Sequence, residues 1–229
     1  MIKIGDTVIN PTKIICLGTN YMDHIEETGL EIPEEPLLFP KTLNCLITNN
    51  QSIIYPKYLY NNRKYNRVDY EAELAFIVKD KCKNISSEKV YDHILGYTVF
   101  NDVTARKMQT KDIVSRKPWF RSKSFDTFGP IGPSIKMVDE IKDPHNLDIE
   151  LKVNGEIKQS SNTKHLLFKI PETFEYITNL FTMEPGDIIA TGTPGGIGPI
   201  NPGDLIEVKI ENIGTLTNKV ILEGEEVKL

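Results

Sequence analysis

The sequence predicts an α+β fold in which strands dominate, and three observations carry that expectation. Short apolar runs recur along the whole chain, each bounded by Gly, Pro, Asn or Asp. Asn154-Gly155 sits between two strand-like arms, a strong hairpin signal. Helical spacing is confined to short stretches, the clearest being 171–181, where Phe174, Ile177 and Phe181 fall on one core-facing stripe.

Taken in order, residues 2–9 predict a short strand, and Lys13-Ile14-Ile15-Cys16-Leu17-Gly18 a second one that breaks into a loop at Thr19-Asn20-Tyr21. Asp23 to Gly29 predicts about two helical turns, on which His24 and Glu27, three apart, share a face. Such a pair, taken alone, is more often a surface contact than a catalytic dyad. Leu30 to Pro36 is acidic with two prolines, the composition of a mobile connection. Leu37 to Lys41, Cys45 to Ile47 and Ile53 to Pro56 read as strands, residues 58–67 as a polar loop, and Ser86 to Ile94 as a capped helix with His93 a structural histidine. Asp102 to Ser115 continues as a helix with Arg106 and Gln109 on one face. Rigid turns over Phe125 to Pro133 close the aperiodic stretch that follows, and strands resume with Leu147 to Val153 and Glu156 to Lys158. Pro185-Gly186-Asp187 and Pro202-Gly203-Asp204 are matching turns, each feeding a strand. Between them the Gly-rich loop 191–199 lacks nucleotide-loop spacing, though its N–H groups could bind a carboxylate.

The chemistry centres on Asp69-Tyr70-Glu71-Ala72-Glu73-Leu74-Ala75-Phe76-Ile77-Val78. On a strand, Asp69, Glu71, Glu73, Ala75 and Ile77 share one face, which begins acidic and ends apolar. Like charges on one face repel, and burial raises the cost unless something positive holds them. On this stretch alone a metal site and an exposed acidic edge fit equally well. A third acid, Asp102, follows the apolar run Ile94 to Phe100 and completes a three-carboxylate set. All-oxygen ligation selects Mg²⁺ or Mn²⁺, with Ca²⁺ as a substitute, and leaves positions open for water and substrate. Lys123 is the candidate buried cation near these acids.

With 229 residues and 39% hydrophobic content, the chain suits one domain with a full core. A net charge of −5 argues against nucleic acid as the main partner. Cys16, Cys45 and Cys82 form no zinc pattern and read as small core residues in a reducing compartment. With no signal-peptide segment and no membrane-length apolar run, a cytoplasmic protein without a membrane partner is expected.

The assembled motifs resemble the fumarylacetoacetate hydrolase family: Asn20-Tyr21-x-x-His24-x-x-Glu27, Asp69 to Leu74, Asn101-Asp102-Val103-Thr104-Ala105-Arg106-x-x-Gln109, Lys123 to Pro130, and Pro185 to Pro194. They fall in the family's order, and five in order are specific where each alone is weak. The resemblance implies mixed β-sheets rolled around a metal-centred cleft, and a single catalytic domain over 1–229 with residues 1–12 as a strand extension and 23–36 as a lid. It implies Mg²⁺ or Mn²⁺ on Glu71, Glu73 and Asp102, a water-activating dyad of His24 and Glu27, and a catalytic Lys123. Tyr21, Arg106, Gln109 and Thr193 are implied around a small anionic 2-oxo acid, in a homodimer or larger assembly. Lys41 stands where relatives carry a lysine, but its flank differs. The expected activity is C–C hydrolysis of an acylpyruvate-like 2,4-dioxo acid through a stabilised enolate. The alternatives are isomerisation, tautomerisation or decarboxylation of 2-oxo or hydroxymuconate-type diacids, and then a non-catalytic ligand-binding module.

Overall fold

The computed structural model describes residues 1–22 and 32–225, so His24, Glu27 and most of the expected lid lie outside the described residues. The chain opens with β1 (Ile2–Ile4) and β2 (Thr7–Ile9), a hairpin rather than one strand. Gly5 between them has a φ of 58°, a left-handed conformation that reverses the chain where a single strand was expected.

A seven-stranded sheet forms the centre. Its order is β4 (Leu37–Lys41), β3 (Ile14–Gly18), β14 (Ile188–Ala190), β8 (Ala72–Val78), β9 (Ile94–Asn101), β11 (Gly129–Met137) and β5 (Leu46–Ile47). The β3–β14 and β11–β5 pairs are parallel and the others antiparallel, which makes the sheet mixed. A five-stranded sheet runs β13 (Glu156–Asn162), β12 (Asp148–Val153), β16 (Leu205–Ile210), β17 (Gly214–Leu222) and β6 (Ile53–Tyr55). Its middle strands pack on β8, β9 and β11. The third sheet is short: β10 (Thr104–Ala105), β7 (Val68–Tyr70) and β15 (Gly198–Ile200).

Helices are few among the described residues: α1 (Lys57–Tyr60), α2 (Arg106–Val114), α3 (Phe120–Lys123) and α4 (Ile170–Leu180). Phe174 of α4 sets its ring edge on Phe76 of β8, with centroids 5.3 Å apart. Strand β8 is therefore covered on both faces, and all seven of its residues are buried. That explains Ala75 and Ile77 on the otherwise acidic face.

Three local expectations are corrected. Phe181 leaves the helical region (φ −124°, ψ 147°) and is 45% exposed, so the core stripe of α4 ends at Ile177. Residues Ser87–His93 form a 3-10 turn, and Ser86 makes no side-chain cap bond. Asp102 does not open a helix, because Thr104 and Ala105 first pair with Asp69 and Val68, delaying α2 to Arg106. The hairpin at Asn154-Gly155 forms as expected, both residues adopting positive φ.

The two Pro-Gly-Asp turns share a device. Each aspartate accepts the N–H three residues before it, Asp187 from Glu184 at 2.8 Å and Asp204 from Asn201 at 2.7 Å. Asp187, fully buried, also accepts from the N–H groups of Thr12 and Lys13 and pairs with the Lys13 ammonium. It thereby ties the entry of β3 to the entry of β14.

Candidate metal centre and active site

The site lies where β7 gives way to β8. The strand breaks at Glu71, whose N–H donates to Asn101 Oδ1 at 3.0 Å and whose carbonyl accepts from Asp102 at 2.8 Å. Because β8 and β9 pair Ala72 with Asn101, the residue after β9 arrives beside Glu71. Glu71, Glu73 and Asp102 are all buried, and each contributes a carboxylate oxygen to a cluster in which all lie within 4.8 Å of one another.

Cations surround this cluster unevenly. Lys41 Nζ donates to Asp102 Oδ1 at 2.6 Å, and Lys123 Nζ bridges Asp102 Oδ2 at 2.5 Å and Glu71 Oε2 at 2.7 Å. Arg106 pairs with Glu71 and, through Nε at 2.8 Å, with Asp69, which Arg67 also holds at 2.8 Å. Among the described residues no salt bridge reaches Glu73, which accepts instead from the Gly192 N–H at 2.9 Å. The Gly-rich loop therefore does bind a carboxylate, one belonging to the chain itself.

The charges follow. Burial alone would push the Glu71 carboxyl up, but Lys123 and then Arg106 reverse this and hold it well below the usual carboxylate range. Burial pushes the Glu73 carboxyl well up, and the Asp102 and Glu71 charges push it further. Burial would depress the Lys123 ammonium, yet Asp102 and Glu71 keep it protonated. The donor set suits a hard divalent ion: three carboxylates, oxygen only, one of them lacking a countercharge.

A cavity of about 670 Å³ opens onto Glu71, Glu73, Arg106 and Lys123. Its apolar lining comes from Leu17, Leu37, Phe39, Ile113, Trp119 and Ile197. Phe39 lies beneath the Lys123 ammonium, 4.9 Å from ring centroid to Nζ.

Residues 13–221 match the sequence profile of the fumarylacetoacetate (FAA) hydrolase C-terminal domain. The chain belongs to the fumarylacetoacetate hydrolase family. An uncharacterised protein of Methanocaldococcus jannaschii is 51% identical over 95% of this chain and 88% of its own length. A mitochondrial oxaloacetate tautomerase of Xenopus laevis is 39% identical over 93% of this chain and 67% of its own. The crystal structure of fumarylpyruvate hydrolase from Pseudomonas aeruginosa, in complex with Mn²⁺ and pyruvate, superimposes with a TM-score of 0.87. The two are 28% identical, over 96% of this chain and 93% of that one. Mixed, strand-rich sheets are thus the family fold.

In this family member the residues singled out from sequence are placed as follows. Glu71, Glu73, Asp102 and Lys123 come together, and Arg106, Gln109 and Thr193 line the same cavity. Arg106 donates to Gln109 Oε1 at 2.5 Å, and Thr193 Oγ1 accepts from Gln159 at 2.9 Å. Tyr21 is buried and pairs through its backbone with Leu166; Gly18 at the end of β3 and Thr19 after it line the cavity instead. His24 and Glu27 lie outside the described residues.

Other contributors carried little signal. Gln159 accepts from the Ala72 N–H at 3.0 Å and fixes the Gly-rich loop through Pro194, yet it sits in a strand whose other residues are mostly polar and none of them buried. Asp69 anchors two arginines, a role that spacing alone did not separate from metal ligation.

Proposed function

We propose that this protein catalyses enol–keto interconversion of a small 2-oxo acid of the oxaloacetate type, in a divalent-metal-dependent reaction. The observation that carries this reading is the buried triad of Glu71, Glu73 and Asp102, ringed by protonated Lys123 and Arg106 and open to a cavity on one side. A Mg²⁺ or Mn²⁺ ion on those carboxylates would supply a Lewis acid for the carboxylate and 2-oxygen of the acid. Lys123 and Arg106 attract the anion and stabilise negative charge as it develops on the enolate oxygen. Gln109, its carbonyl engaged by Arg106, keeps its amide N–H groups as donors toward the substrate. His24 and Glu27 carry the C3 proton away and return it. The named tautomerase relative supports this reading.

Hydrolysis of an acylpyruvate is the second reading. It is favoured by the intact His24-x-x-Glu27 spacing, which suits activation of a water, and by the likeness to fumarylpyruvate hydrolase. The test is metal-free protein, with and without Mg²⁺ or Mn²⁺, on oxaloacetate and acetylpyruvate, following enol absorbance together with pyruvate. Metal-dependent loss of enol without pyruvate is expected. Pyruvate released from acetylpyruvate moves the assignment to hydrolase, and metal binding without turnover on either acid rejects both.

A further inference from the structure

Strand β8 carries chemistry at both ends. Glu73 near its start and Glu71 just before it belong to the carboxylate triad; just past its last residue, roughly 20 Å along the strand at about 3.3 Å per residue, lies a second group of ligand atoms. Asp80, Cys82 and His93 each offer one, a carboxylate oxygen, a thiol sulfur and an imidazole nitrogen, all within 4.8 Å of one another. His93 Nδ1 lies 2.6 Å from Asp80 Oδ1, and both side chains are partly open to solvent, at 27% and 49% exposure. Cys82 approaches from the buried side.

The backbone holds this arrangement. Cys82 exchanges both hydrogen bonds with Met183, at 3.0 and 2.9 Å, and Lys79 N–H donates to the His93 carbonyl at 2.9 Å. Asp80 is the carboxylate of this group, and the nearby Asp187 and Glu184 are already paired with Lys13 and Lys81. None of the lysines around it is aimed at the three ligand atoms: Lys13 pairs with Asp187, Lys81 with Glu184 at 2.9 Å, and Lys79 donates to the Asp92 carbonyl at 3.3 Å.

We propose that Asp80, Cys82 and His93 form a second metal site, selective for a zinc-class divalent ion. One sulfur, one nitrogen and one oxygen ligand are the softer donors that zinc prefers and magnesium does not, and solvent supplies the fourth position of a tetrahedron. Binding replaces the Cys82 S–H bond with a metal–sulfur bond and releases the proton to solvent, so affinity rises with pH. The ion would fasten the connection 79–93, the segment joining the two strands that hold the carboxylate triad at their other ends. The two centres would sort metals by hardness, oxygen donors at one end and mixed donors at the other.

Cobalt(II) tests this independently of the catalytic reading, because only a thiolate ligand gives a sulfur-to-cobalt charge-transfer band, and the Glu71/Glu73/Asp102 centre has none. Titrating metal-free, full-length protein with Co²⁺ is expected to produce that band at one equivalent. Stoichiometric Zn²⁺ should erase it while excess Mg²⁺ leaves it. Cys82→Ser should abolish it, and Cys16→Ser should not. Absence of the band in the unaltered protein at saturating Co²⁺, its persistence in Cys82→Ser, or its displacement by Mg²⁺ would each overturn the proposal. The first of these outcomes does not depend on any variant folding.

Discussion

Glu73 is the carboxylate whose charge the protein leaves uncompensated, held by one N–H from Gly192. Glu73→Gln preserves that bond and removes the charge. It is expected to weaken Mn²⁺ binding by more than about 100-fold, beyond the usual cost of losing an outer partner, measured by calorimetric titration. Gly192→Ala acts on the donor: its φ is 94°, and a Cβ would meet the Asn20 Cβ at 3.0 Å. It should cost about 1–3 kcal/mol in urea unfolding and weaken metal binding as well. Asp187 tests pH dependence. Burial raises its carboxyl, but the Lys13 ammonium, the N–H groups of Glu184 and Thr12 and the Thr12 hydroxyl outweigh this and hold it below its ordinary value. Its contribution is therefore complete above the unfolded value of about 3.9 and disappears as pH falls through the lower folded value. Asp187→Asn should lose about 3 kcal/mol at pH 7 and flatten the acid limb of the stability profile. At this scale the sequence revealed residue types but not partners. Parity put Asp69, Glu71 and Glu73 on one face, yet Asp69 spends its charge on Arg67 and Arg106, a choice that depends on where α2 begins.

Among the elements, β8 shows what periodicity can and cannot reveal. Alternation identified the acidic face, and the apolar Ala75 and Ile77 on it implied a cover. What covers the strand, the five-stranded sheet on one side and α4 on the other, follows only from tertiary packing. Phe174→Ala removes a buried ring from that cover. About 3–5 kcal/mol of stability should be lost, with Mn²⁺ affinity unchanged, because Phe174 packs against Phe76 rather than the triad. A fall in metal affinity matching the fall in stability would mean that α4 positions the carboxylates directly. Where sequence misjudged elements, the cause was local. Helical spacing from Asp102 onward was real from Arg106, but β-pairing of Thr104 took the first residues. The Phe181 stripe failed because the helix ends one residue earlier.

For the whole molecule, stability and metal binding oppose one another around Lys123. Its ammonium is buried between Asp102 and Glu71, so Lys123→Met leaves both carboxylates without that partner. The metal-free variant should be less stable by about 3 kcal/mol, yet bind Mg²⁺ more tightly and recover most of its melting temperature when Mg²⁺ is added. An equal loss with and without Mg²⁺ would deny that lysine and ion serve the same carboxylates. The family fold was legible because its motifs recur in order from Asn20 to Pro194, each near a strand end. Sheet order was not, since β3 pairs with β14 and β6 with β17 across almost the whole chain.

The four carboxylates Asp69, Glu71, Glu73 and Asp102 face four cations, Lys41, Arg67, Arg106 and Lys123. With every group ionised the enclosure is electrically neutral, so a divalent ion on the triad would leave it two positive charges in surplus. A dianion such as oxaloacetate cancels that surplus on arrival, and its benefit is expressed in binding. An acylpyruvate brings one negative charge and gains the second only as its enolate forms, so the benefit is reserved for the reaction step. Neutralising Lys41 or Arg67 should therefore shift KM for the first kind of substrate and kcat for the second.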